Sequence, residues 1–100
     1  MSNKKAGTGS FKQISPEYLK QISILRSMAS DGKRMGLEME INDIARKSGL
    51  NDEKETQRYL YILEGHKLVT PKPEGDFTSK YWKITSDGVK VLKDVETYIN

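Results

Sequence analysis

A chain of 100 residues, 35% hydrophobic and 31% charged, has the make-up of one well-solvated module with a single modest core, and is expected to work without a separate effector domain. No apolar run approaches the roughly 18 residues of a membrane span or the core of a secretory leader, and with no cysteine there is neither a disulfide nor a thiolate metal site, so the chain is read as cytoplasmic. The formal charge of +3 is mild but uneven: residues 1–14 carry +3 and residues 66–83 carry +2, while residues 51–65 carry −2.

Residues 1–14 (MSNKKAGTGSFKQI) are rich in Gly, Ser, Thr and Lys and show no apolar period, which predicts a flexible basic arm. Lys4, Lys5 and Lys12 are placed to follow a DNA backbone, although a solubilising tail is the plainer reading of the same residues. A folded domain is expected over residues 15–100. Ser15-Pro16-Glu17 reads as a helix start, because Ser caps open N–H groups, Pro fits the first turn and Glu complements the positive helix end. That helix is expected to run to about Ser30, with Tyr18, Ile22, Leu25 and Ala29 on its buried stripe and Asp31-Gly32 as its stop. Met28, Met35 and Met39 read as core filling. Met35–Ile41 alternates apolar and polar residues and predicts a short half-exposed strand. Asn42 then caps a helix over Asp43–Ser48, whose outer side carries Arg46 and Lys47.

The centre of the chain is Ile41–Val69. Ile41, Ile44, Ala45 and Leu50 keep a helical spacing up to a turn at Ser48-Gly49, and Thr56, Tyr59, Leu60 and Leu63 resume it. The second helix, about residues 52–64, takes Asn51 or Asp52 as its cap, and Asp52 with Glu55 can form a reciprocal capping box before Gly65 ends it. If the second apolar set faces inward, the opposite face presents Lys54, Glu55, Gln57, Arg58 and Tyr61. Two helices joined by a tight turn containing Gly form the layout of the helix-turn-helix, whose second helix can lie in the DNA major groove. There Arg favours guanine, Gln favours adenine and Tyr bonds phosphate. The acidic start of this helix, Asp52 and Glu53, would repel phosphates unless it is used for capping.

Beyond Gly65, Leu68–Thr70 and Thr78–Ile84 read as strands around an exposed turn at Pro71–Asp76, since Pro71 and Pro73 exclude a central strand. Lys72, Lys80 and Lys83 with Tyr81 make this hairpin, about residues 70–83, basic and partly aromatic, while Trp82 and Ile84 are expected in the core. Thr85 caps a last helix over Ser86–Ile99. Its two apolar stripes, Leu92, Val95 and Ile99 beside Val91, Val95 and Tyr98, form a surface broad enough for a homodimer contact, through Val91, Val95, Tyr98 and Ile99, or for packing at home.

The fold class expected is mainly α with a small β-hairpin (α+β), in the order helix, strand, helix, helix, strand, strand, helix. With ARKSGL before the second helix, YLYILEGHKLV across its end and KYWKITSDGVKVL after the hairpin, residues 15–99 resemble a winged helix-turn-helix domain. They are similar to the small prokaryotic regulators of the MarR and PadR type. The positions that carry the likeness are Leu63-Glu64, Gly65, Leu68-Val69 and the step from Ile84-Thr85 to Gly88. The resemblance implies double-stranded DNA as partner and transcription regulation as role. The second helix would enter the major groove through Lys54, Gln57, Arg58 and Tyr61, and the wing, through Lys72 and Lys80, would meet the minor groove or backbone. Winged helices also serve as protein-binding adaptors, here through the acidic helix start or the last helix, and that is the alternative.

Enzymatic function is not expected. His66 is the single histidine, in a turn, and no Gly-rich phosphate loop or metal-ligand spacing is present, so neither metal nor cofactor is anticipated.

Overall fold

In the computed structural model, which describes residues 15–29 and 38–99, with side chains as far as Thr97, the first helix α1 (Pro16–Ala29) starts where Ser15 places it. The Ser15 hydroxyl accepts from the Tyr18 N–H at 3.1 Å, and the Ser15 carbonyl accepts from the Leu19 N–H at 3.0 Å. Its buried face is Ile22, Ile24, Leu25 and Met28, not a stripe that includes Tyr18, which is 44% exposed at the open end of the helix. The shift arises because α1 is covered on several sides, by each of the other helices. The expected basic arm of residues 1–14, with Lys4, Lys5 and Lys12, lies outside the described residues, as do Asp31-Gly32 and Met35.

Strand β1 is only Met39–Glu40, and it runs without a loop into helix α2 (Ile41–Ser48). The expected cap at Asn42 is therefore corrected: the helix starts earlier, after Glu40, and no side chain caps it. Two tertiary demands outrank the local cap. Glu40 is paired with Tyr81 in the sheet, and the Ile41 side chain is buried while its N–H donates to the Lys80 carbonyl at 2.7 Å. Gly49 ends α2 with φ +88°, the left-handed conformation that glycine adopts without a Cβ penalty. Asn51, with φ 56°, completes the turn into helix α3 (Glu53–Gly65). Thr56, Tyr59, Leu60 and Leu63 are the buried residues of α3, as their spacing predicts.

The chain reverses after α3 at Lys67, whose φ of 63° is left-handed although the residue carries a side chain. For a residue with a Cβ this conformation costs on the order of 1 kcal/mol. The Lys67 side chain is exposed, so Lys67→Gly removes the strain without removing packing. Its expected effect is a gain of up to about 1 kcal/mol in urea denaturation, part of it offset by the greater freedom of Gly in the unfolded chain. A loss of stability would mean that the side chain itself makes a contact.

Strands β2 (Val69–Lys72) and β3 (Tyr81–Ile84) form the hairpin, and β1 joins on the other side, giving an antiparallel sheet in the order β1-β3-β2. Pro71, expected in the turn, lies in β2 opposite Trp82, which the ladder tolerates because β2 is an edge strand. The returning strand is shorter than expected, because Asp76 captures the residues before it. Its carboxylate accepts from the Thr78 N–H at 3.0 Å and the Thr78 hydroxyl at 2.6 Å, and its carbonyl accepts from Ser79 N–H. Local side-chain bonds of this kind compete with the strand ladder. Trp82 is wholly buried, with its indole N–H donating to the Ser79 carbonyl at 3.0 Å.

Helix α4 (Ser86–Ile99) is capped by Thr85, whose hydroxyl accepts from the Gly88 N–H at 3.0 Å. Leu92 is buried against the core and Val89 and Val95 pack on it, so part of the apolar surface of α4 is used at home. The side chains of Tyr98 and Ile99 lie outside the described residues. The described part of the chain is thus mainly helical, with four helices and a small three-stranded antiparallel sheet.

Candidate nucleic-acid interface

The outer face of α3 follows from its inner one. With Thr56, Tyr59, Leu60 and Leu63 buried, Lys54 and Arg58 stand one turn apart on the solvent side, Gln57 is half-buried beside them, and Tyr61 continues the row. The Arg58 guanidinium lies 4.8 Å from the centre of the Tyr59 ring, a contact that holds the side chain near the helix surface. Among the described residues Lys54 and Arg58 enter no ion pair.

The acidic start of α3 has defined partners. Asp52 caps the helix, its carboxylate accepting from the Glu55 N–H at 3.1 Å. Glu55 does not close the reciprocal half of the expected capping box; its carboxylate reaches Lys20 of α1 at 2.7 Å. That hydrogen bond and the Glu55 charge hold the Lys20 ammonium above the ordinary lysine value. Glu53 faces Lys80 of the hairpin at 3.7 Å. Every carboxylate in the first turn is therefore engaged, and the repulsion that the bare sequence suggests is reduced. Lys80–Glu53 is solvent-exposed and Lys20–Glu55 is only partly buried, so the two pairs tune the local field more than they stabilise the fold.

The same pairs consume hairpin charge. Lys80 is taken by Glu53, and Lys72 lies 3.2 Å from Glu74. Lys83 alternates to the sheet face away from Trp82, where it lines a shallow groove with Thr70, Glu74 and Ser86. On α2, Arg46 is paired with Asp43 at 2.5 Å, while Lys47 borders a polar groove with Ser23, Arg26 and Ser48. The structure thus brings Lys54, Gln57, Arg58 and Tyr61 together on one ridge. Arg46, Lys47, Lys72, Lys80 and Lys83 are distributed around it on other elements.

Tyr61 is used differently from the phosphate contact its chemistry suggests. Its hydroxyl donates to the Phe77 carbonyl at 2.9 Å, and its ring centre lies 6.0 Å from that of Phe77 and 6.1 Å from that of Trp82. Tyr61 therefore ties α3 to the hairpin and fixes their relative position. Lys20 and Phe77 are the two residues here that reading the sequence missed. Phe77 had a signal, an aromatic residue among polar turn residues, whereas Lys20 had none, since its partner is 35 positions away.

Between α1, the end of α3 and α4 lies an apolar groove of about 330 Å³, lined among others by Tyr18, Leu25, Leu63, Val91 and Val95. Val91 and Val95 of the expected dimer stripe thus face a depression shared with α1. Among the described residues no group of His, Asp or Glu side chains is placed to hold a metal ion, and no helix is long and apolar enough to cross a membrane. No protein-family model, curated protein or solved structure matches the chain.

Proposed function

We propose that this chain is a winged helix-turn-helix domain that binds double-stranded DNA and acts as a small transcriptional regulator. In this reading α3 enters the major groove, Lys54, Gln57 and Arg58 meet bases and phosphates, and the β2–β3 hairpin is the wing beside it. The observation that carries the proposal is the exposed Lys54–Arg58 ridge on a helix whose acidic first turn is already engaged by Lys20, Lys80 and its own backbone. A phosphate approaching that ridge meets two cations that enter no ion pair among the described residues and three partnered carboxylates, which favours the approach. Lys47 and Lys83, which enter no ion pair among the described residues, supply secondary contacts to the backbone. A homodimer, with Val91 and Val95 at the contact, would place two such ridges on one duplex.

The test is fluorescence anisotropy of a labelled mixed-sequence duplex titrated with the protein at several salt concentrations. The expected result is micromolar or tighter binding that weakens steeply with salt, with a log–log slope of about −3 for roughly three neutralised phosphates. Absence of binding at low salt would overturn the proposal. The second reading, a winged helix adaptor that binds protein, would then take its place, and the apolar groove between α1 and α4 favours that reading specifically.

A further inference from the structure

The tip of the wing offers a nucleic acid little net charge, because between Thr70 and Lys80 its two lysines are balanced by Glu74 and Asp76 and both lysines are ion-paired. What it presents instead is aromatic. Phe77 is 44% exposed, yet it is held firmly from behind. Its ring is within 14° of parallel to that of Trp82 at 6.5 Å between centres, its backbone carbonyl accepts the Tyr61 hydroxyl, and the Asp76 carboxylate fixes the next residue. Tyr61, itself 43% exposed, extends this surface on the α3 side. It follows Arg58 by three positions, so the cationic row Lys54–Arg58 leads directly onto the Tyr61–Phe77 pair.

Cations that track a backbone, followed by an open aromatic face, are the two components with which proteins hold unpaired nucleotides. We infer that Tyr61 and Phe77 form a stacking site for a nucleobase, and that the preferred nucleic acid is a duplex with an unpaired base beside it. This inference rests on the DNA-binding reading of α3. The physical reason is access: inside a closed duplex both faces of each base are covered by its neighbours, so away from a blunt end it is an unpaired base, at a single-stranded end or an extrahelical position, that can lie against Phe77. A ring already fixed in place loses little conformational freedom on accepting that base. The duplex would lie along Lys54 and Arg58, and the unpaired strand would run past Tyr61 to Phe77.

The experiment compares anisotropy titrations of three probes at one salt concentration: a blunt duplex, the same duplex with a short thymidine tail, and the same duplex with an equally long abasic tail. The thymidine tail is expected to tighten binding about tenfold over the blunt duplex, a gain of the size one stacked base supplies, and the abasic tail to leave it unchanged. Phe77→Leu keeps an apolar cover over Trp82 but has no ring face, and should bring the ratio of tailed to blunt affinity to about one; Phe77→Tyr should preserve it. Equal affinity of the wild-type protein for all three probes would overturn the stacking site and leave duplex binding standing. A gain reproduced by the abasic tail would assign it to phosphate contacts and likewise overturn the site. Failure to bind any probe would remove the DNA-binding reading together with the inference.

Discussion

Gly88→Ala is expected to lower the stability of the fold by about 2–3 kcal/mol, although it replaces a poor helix former by the best one. Gly88 lies in the first turn of α4, and a Cβ added there would stand 2.2 Å from the Leu68 carbonyl oxygen and 2.7 Å from a side-chain carbon of Ile84. The carbonyl cannot step aside cheaply. It accepts the Thr85 N–H at 3.0 Å, the Leu68 N–H donates to the Leu63 carbonyl at 3.0 Å, and the Thr85 hydroxyl donates to the adjacent Lys67 carbonyl at 2.8 Å. Accommodating one methyl group therefore means shifting the junction at which the end of α3, the entry to β2 and the start of α4 meet. The gain in helix propensity, about 1 kcal/mol, is smaller than the cost of overpacking against fixed backbone. The midpoint of thermal unfolding should fall by on the order of 10–20 °C for a domain of this size. Gly65→Ala is the control, because among the described residues no atom beyond its chain neighbours and its own helix backbone lies within 4 Å of the Cβ position there, and the residue is helical. It should be neutral or mildly stabilising. Equal effects at the two positions would remove the close approach from the explanation.

Reversing both charges on the outer ridge, with Lys54→Glu and Arg58→Glu, should weaken duplex binding by about 100-fold or more while leaving the circular dichroism spectrum unchanged. Both side chains are exposed, and among the described residues neither is ion-paired, so the fold does not depend on them. The contact of Arg58 with the Tyr59 ring is exposed and worth about 0.5–1 kcal/mol, well within the reserve of a folded domain. If each cation supplies about 1–3 kcal/mol at a base or phosphate, removing both already exceeds the 2.7 kcal/mol of a 100-fold change at roughly the middle of that range, and the new carboxylates add repulsion. Affinity retained within about threefold would take the α3 ridge out of the interface and transfer the search to another surface.

The order of elements was legible because each carried its own local signal. Ser15-Pro16-Glu17 opened α1, the inward set of Thr56, Tyr59, Leu60 and Leu63 oriented α3, and Thr85 capped α4. The outer ridge was legible for the same reason, since the exposed face of a helix is the complement of its buried one. What local reasoning missed was set by partners far along the chain. Asn42 is a better cap than Glu40 in isolation, but the pairing of Glu40 with Tyr81 and the burial of Ile41 decide where α2 begins. Lys80 read as an open phosphate contact until Glu53, from the start of α3, is placed beside it. The Tyr61 hydroxyl read as free for a phosphate because only the tertiary structure puts the Phe77 carbonyl within its reach. The acidic first turn of α3, read alone as an obstacle, changes its meaning once Lys20 is opposite Glu55.

The sheet has a consequence for handling the protein at high concentration. Its central strand β3 is covered on both sides, which leaves β1 and β2 as the two edges where another chain could add a strand. One edge is only Met39–Glu40, too short to template a stable ladder. The other contains Pro71, which has no N–H to offer an incoming strand. Edges shortened or interrupted in this way resist edge-to-edge growth, so the sheet formed by the described residues offers a second chain no ready template.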